Sequence, residues 1–151
     1  MSSFETKNFG VVSYESGSVL EFPRGLPGFE ERRLFLVLQF DDSRPLVFLQ
    51  SLEDPGLCFI TLPVLAADPD YRLEVTGEDR ELVGLPLTSA LRIGQDVLCL
   101  TVLSLQESGP TANLLAPLVV NISNLKGVQA IAPESDYSHQ HALLPQKTVV
   151  C

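Results

Sequence analysis

Apolar residues in this chain come in short bursts, and proline or glycine closes almost every one. The 11 prolines and 10 glycines are spread through 151 residues. Proline withholds an amide and fixes φ, and glycine weakens any regular element it interrupts. Bursts this short suit strands better than helices. "FGVVSYE" and "SVLEF", separated by Ser16 and Gly17, read as a hairpin. "LFLVLQF" places Leu34, Leu36, Leu38 and Phe40 on one face and Phe35 and Val37 on the other, so both faces expect cover. "LVFLQSL" and "CFITL" read the same way, with "DDSRP" and "EDPG" as the turns between them.

The middle of the chain changes character. Thr76 stands three residues before Asp79, a weak capping box, and a short helix is expected over "GEDRELVG" with Gly84 as its stop. A second helical turn is expected over "LTSALRIG". "DVLCLTVLSL" returns to strand, "ESGPTANLLAP" reads as a loop, and "LVVNIS" and "GVQAIA" read as strands around the turn "NLKG". About eight to ten short strands with one or two short helices predict a mainly β fold: a small antiparallel β-barrel-like or sandwich domain. One domain is expected over residues 1–132, with 133–151 as an extended or flexible tail. A chain of this length buries roughly 70% of its unfolded surface, enough for a core without staples.

Charge and cysteine narrow the function. The formal net charge of −9 repels phosphate backbones and disfavours direct nucleic-acid binding, while it attracts basic partners. Three cysteines, Cys58, Cys99 and Cys151, make an odd count with no secretory signal before them, which argues against a disulfide framework. No apolar run approaches the ~20 residues of a membrane span. A cytoplasmic setting is the expectation.

Candidate chemistry is thin. His139 and His141 share one face if the segment is extended, but a structural zinc wants about four ligands and no others stand at a recognisable spacing. "DPDYRLEVTGED" has Leu73 where a calcium loop needs glycine and Asp79 where it needs a bidentate glutamate, and Leu73 and Val75 suggest a strand instead. Cys58 and Cys99 sit in apolar strands, where a thiol is inert; Cys151 is terminal and more accessible. Neither a G-x-S-x-G elbow nor a phosphate-cradling loop is present. The adjacent acids Glu30–Glu31 and Asp41–Asp42 point opposite ways in extended chain, so they make poor acid–base pairs. The reading is therefore no catalytic residue, no metal and no cofactor. A small-ligand barrel is the alternative, and a hydrolase using carboxylates or Cys151 a more distant one.

What remains is surface. Leu114, Leu115, Leu118, Val119 and Val120 cluster near the "SGPTAN" loop, with Leu118 and Val120 favoured for the core and Leu114 and Leu115 for a partner groove. Gln50, an amide in a strand apolar on both sides, needs partners that are either internal or part of a bound peptide. Its neighbour Ser51 belongs to the same candidate surface. Asp70 and Tyr71 read as a turn or a polar rim, and Asn113 and Asn121 as loop-fixing or partner-binding residues.

The order of "LEFPRGLPGFEERRLFLV", "PLVFLQSLEDPGLCFITLP", "PDYRLEV", "DVLCLTVLSL" and "TANLLAPLVVN" resembles the flagellar assembly factor FliW family, from about Phe4 to Leu144. The G-x-P-G-F turn (Gly25, Pro27, Gly28, Phe29), the L-Q-S segment at 49–51 and the N-L-x-A-P-x-V-x-N segment at 113–121 carry it together. The resemblance implies a small antiparallel barrel-like fold and a non-enzymatic, cytoplasmic role. Its partners would be flagellin and the RNA-binding translational regulator CsrA, whose repression of flagellin translation the factor relieves. No nucleic acid or membrane is engaged directly, and the chain is expected to be a monomer. The stretch "GLPLTSALRIGQ" looks longer than the family's usual connection, and "SHQHALLPQKTVVC" ends differently. The turn itself is expected to be a shaped corner, with Pro23 and Pro27 stiffening it and Phe29 directed into the core as a plug.

Overall fold

The computed structural model describes residues 2–131 and 135–143. Its strands are β1 (Ser2–Thr6), β2 (Gly10–Tyr14), β3 (Val19–Glu21), β4 (Leu34–Leu38), β5 (Val47–Ser51), β6 (Cys58–Pro63), β7 (Val97–Gln106), β8 (Gly109–Ala112), β9 (Leu118–Asn121), β10 (Lys126–Gln129) and β11 (His141–Ala142). Two short helices, α1 (Val64–Ala67) and α2 (Gly77–Val83), lie between β6 and β7. The main sheet runs β11-β8-β7-β6-β5-β4-β3-β10-β9, and β9 pairs back onto β7. That last pairing closes seven strands into a barrel, removing the edges an open sheet would expose. Among the described strand pairs, β3–β10 alone is parallel, through Lys126 and Glu21.

Side-chain alternation divides the barrel into an inside and an outside. Leu20, Phe22, Phe35, Val47, Leu49, Leu100, Leu118 and Val120 meet in one buried cluster, drawn from strands all round the barrel, and fill it. Val97, Cys99, Val119 and Val128 point outward from β7, β9 and β10 into a second core, with Val64 of α1, Val83 of α2, and Val75, Leu85 and Leu114. The chain at β9 is therefore buried on both faces. On the opposite wall, Phe9 of the β1–β2 turn packs against Phe40 and Phe48, at centroid distances of 5.4 and 5.2 Å. Gly127 stands where the packing is tight: a Cβ there would lie 2.6 Å from the Phe22 ring.

Helix α2 forms as its residues dictate. Thr76 accepts the Asp79 amide at its start, and Gly84 ends it in the left-handed conformation, φ 78°. Several other expectations do not hold. No helix forms over "LTSALRIG"; Arg80 instead donates to the carbonyls of Val75, Pro86 and Ser89 and fixes that connection as irregular chain. "FGVVSYE" pairs with β1 and not with "SVLEF", because β3 is drawn into the barrel between β4 and β10. Within "ESGPTANLLAP", residues Gly109–Ala112 form β8, held to β7 by a two-residue turn. Leu73 and Val75 lie in unpaired chain, Val75 buried and Leu73 half-buried by packing rather than by a ladder. Helix α1 had no counterpart in the sequence reading.

Of the segment taken as a tail, residues 135–143 run along the barrel. β11 pairs with β8, Tyr137 stacks on Tyr71 at 4.4 Å, and the Ser138 carbonyl accepts the Leu114 amide at 2.9 Å. Residues 132–134 and 144–151 lie outside the described residues.

Candidate functional site

The corner between β3 and β4 is built from its own backbone. Gly25, Phe29 and Arg32 donate amides to the carbonyls of Phe22, Leu26 and Phe29, and Phe22 closes the corner onto Arg33. Gly25 has φ +65°, and a Cβ on it would fall 2.5 Å from the Glu30 carbonyl oxygen, so no other residue fits. Gly28 also has positive φ, 86°, and donates its amide to the Glu30 carboxylate; that bond holds the Glu30 pKa below the usual range. Arg24 reaches the first turn of α2, 3.2 Å from Glu78 and 3.8 Å from Asp79. Pro27 is exposed at the tip. Phe29 departs from expectation: it is 41% exposed and lies edge-on over Phe59 at 5.4 Å, so it is no core plug. Phe22 and Leu26 supply the buried apolar side chains at that end of the barrel, and the Phe29 ring rests on Phe59 at its mouth.

The remaining candidates fall into two groups. Gln50 is fully buried, and its Nε2 donates to the carbonyls of Ser51, Asp54 and Pro55 at 3.0, 3.4 and 3.3 Å. Ser51, also fully buried, accepts the amides of Glu53 and Asp54 on its hydroxyl. Asn113 accepts the Ala116 amide, and Asn121 donates to the Val83 carbonyl while accepting from Ser123. Leu114 is 1% exposed and belongs to the outer core, against its assignment to a groove. These five shape loops and packing. Asp70, Tyr71 and Leu115 form the second group, which reaches the surface. Tyr71 donates its hydroxyl to the Leu114 carbonyl at 2.9 Å and carries Tyr137 on its ring, so it fixes the N-L-x-A-P segment from outside. Burial pushes its pKa above the ordinary tyrosine range.

The chemistry of the remaining groups is quiet. Burial raises the Cys58 thiol to about 11 and the Cys99 thiol to about 12, which keeps both protonated and poorly nucleophilic at neutral pH. Cys151 lies outside the described residues. His139 is exposed at the barrel mouth and His141 lies in β11. Among the described residues no three or more His, Cys, Asp or Glu side chains converge as metal ligands, and no helix is long and apolar enough to cross a membrane. Arg92 holds the Asp96 carboxylate below its usual pKa in a pair that staples one turn.

Of the hollows around the barrel, two bear on these elements. One, of about 710 Å³, lies between the 84–96 connection and the β9–β10 turn, with Leu85, Leu91 and Ile122 among its walls. The other, of about 220 Å³, opens at the barrel mouth between Leu26, Phe59, Val102 and Ser104. Sequence reading marked neither. Each is walled by residues from segments far apart in the chain, and no local pattern announces that.

Fold and site together define a small closed β-barrel with a packed interior and an outer core under two short helices, whose buried polar side chains are largely spent on its own loops. Comparison with known proteins gives the lineage. The family model described as FliW protein matches residues 3–143. The flagellar assembly factor FliW of Caldanaerobacter subterraneus is 32% identical over 142 residues, covering 93% of this chain and 92% of that protein. FliW of Geobacillus sp. strain WCH70 is 33% identical over 144 residues, covering 94% and 95%. A crystal structure of the flagellar assembly factor FliW superposes with a TM-score of 0.83 at 29% identity, covering 97% of this chain and all of the other. The chain belongs to the FliW family.

Proposed function

We propose that this protein is a cytoplasmic flagellar assembly factor that binds flagellin and antagonises CsrA, relieving repression of flagellin translation without catalysing a reaction. The observation that carries the reading is similarity along nearly the whole length to proteins named flagellar assembly factor FliW. Surface charge adds to it. An RNA-binding regulator presents basic surface, and a partner of net charge −9 is drawn to it while being repelled by RNA. At physiological salt the Debye length is about 8 Å, so that attraction steers the encounter, and a few desolvated apolar contacts hold the complex.

Among the residues singled out, Asp70, Tyr71 and Leu115 make partner contacts, and Gln50, Ser51, Asn113, Leu114 and Asn121 hold the surface that does so. Isothermal calorimetry of the purified chain with flagellin and with CsrA, followed by competition between them, tests the function. Saturable binding of both is expected; heat from neither would remove it. The packed interior weighs against a barrel that encloses a small ligand.

A further inference from the structure

The barrel is closed, but one of its seams is only partly zipped. β6 and β7 pair through Thr61–Val102, Leu62–Thr101 and Pro63–Leu100, and there the ladder stops. Continued in register, Ile60 would face Leu103, Phe59 would face Ser104 and Cys58 would face Leu105. Instead, among the described residues, Cys58–Ile60 is in register with β5 and Leu103–Gln106 with β8.

The alternation of an antiparallel ladder shows where the backbone groups of the two flaps point. The Ser51 amide bonds the Leu57 carbonyl, so Leu57, Phe59 and Thr61 turn their polar groups to β5, and Cys58 and Ile60 turn theirs to the seam. The Asn113 amide bonds the Val102 carbonyl, so Val102, Ser104 and Gln106 turn to β8, and Leu103 and Leu105 face the seam. Beyond the Thr61–Val102 pair the two strand edges therefore part, with the polar groups of Cys58 and Leu105 turned to the seam. The mouth cavity of about 220 Å³ borders the inner side of that wedge, with Phe59 on one flap, Ser104 on the other, and Leu26, Gln129 and His139 among its further walls.

The surroundings of the wedge are apolar, then acidic. Leu105 is 81% exposed, although it sits in a strand; Ile60 is exposed on the facing strand, and Phe29 is exposed at the mouth over Phe59. Phe29, whose ring lies over Phe59, shares a neighbouring hollow with Glu30, Glu31 and Asp54, and Arg32 is the cation lining it. Glu107 is exposed at the end of the other flap.

We propose that this seam is a strand-addition site: an extended peptide segment, apolar at alternate positions and basic at its ends, pairs with the open edge of β6 or β7 and drops one side chain into the mouth cavity. Open edges ask for an extended backbone. The period of two sends alternate side chains to the cavity and to Leu105 and Ile60. The acidic rim selects lysine or arginine at the flanks. Identification of the segment as part of flagellin rests on the proposed function above; the strand-addition site itself does not.

Hydrogen–deuterium exchange on the full chain reads the site directly. The probes are flagellin and an acetylated heptapeptide alternating valine and threonine between terminal lysines. Slowed exchange at the Cys58 and Leu105 amides with either probe is expected. Leu105→Pro removes a donor that faces the seam and no ladder bond, so it should abolish protection at the Cys58 amide and weaken binding by about tenfold with the melting temperature unchanged. Should Leu105→Pro unfold the chain, Ser104→Phe, which fills the cavity, takes its place. Flagellin bound calorimetrically while neither probe slows the two amides overturns the inference and leaves flagellin binding intact. Protection by the heptapeptide with no flagellin binding keeps the site and removes the flagellin reading. Silence from both probes overturns both.

Discussion

Phe29 shows how far a residue's chemistry can be separated from its position. The glycines and prolines around it did make a rigid corner, yet the ring points across the surface onto Phe59 instead of inward. A buried phenylalanine truncated to alanine costs about 3–5 kcal/mol, whereas this half-exposed ring should cost nearer 1 kcal/mol. Urea denaturation of Phe29→Ala measures the difference; a loss above about 3 kcal/mol would restore the core plug. Gln50 is the reverse case. Its amide, the residue most open to a bound peptide on sequence grounds, is fully buried and bonded to the 51–55 loop. Gln50→Ala leaves those carbonyls without their donor and should cost about 1–3 kcal/mol. The thiols predict an alkaline limit. Cys99 is raised from 9.0 to about 12, so the folded state holds its proton more tightly than the unfolded chain. Its stabilisation is complete below the unfolded value and declines as pH rises from there towards the folded one. The urea midpoint should therefore fall above that lower value, and less steeply in Cys99→Ala.

At the level of elements, the helix that formed and the one that did not obey the same rule. Both stretches carry a threonine near the start and a glycine at the end. Only in α2 does that threonine accept a first-turn amide, with two acids, Glu78 and Asp79, in the same turn. The 84–96 connection has instead an external organiser, Arg80, whose contacts with the Pro86 and Ser89 carbonyls hold it in irregular chain. Arg80→Ala should speed amide exchange across residues 85–91 before it lowers global stability, a local effect that exchange mass spectrometry separates from unfolding. β3 was legible as a strand but not in its partners. Pairing with β4 and β10 buries Leu20 and Phe22 in the barrel, an advantage that a hairpin with β2 does not offer.

The whole molecule depends on closure and on charge. β3 and β10 meet at one residue pair, supported by the Glu21 amide on the Leu125 carbonyl at 3.0 Å. The barrel should open there first, with the Glu21 amide exchanging faster than those of the four-pair β7–β9 ladder. Gly127 sits beside that closure, and Gly127→Ala drives a methyl into the Phe22 ring, at a cost of about 1–3 kcal/mol. If the acidic exterior steers a basic regulator, reversing several exposed acids should slow association in stopped-flow and flatten its salt dependence, with dissociation little changed.

The sequence by itself determined the material of the fold: short strands, one capped helix, a corner that only glycine can turn, and an acidic surface. These are local matters, fixed by backbone sterics, by hydrogen bonds a few residues long, or by a sum of charges. Tertiary structure decided which strands are neighbours, that Leu114 is buried while Leu105 is bare, and that β6 and β7 part company before their ends. Those outcomes depend on which distant residues compete for one volume. Side-chain alternation along a strand gives its two faces but does not say which neighbour, or none, will cover each.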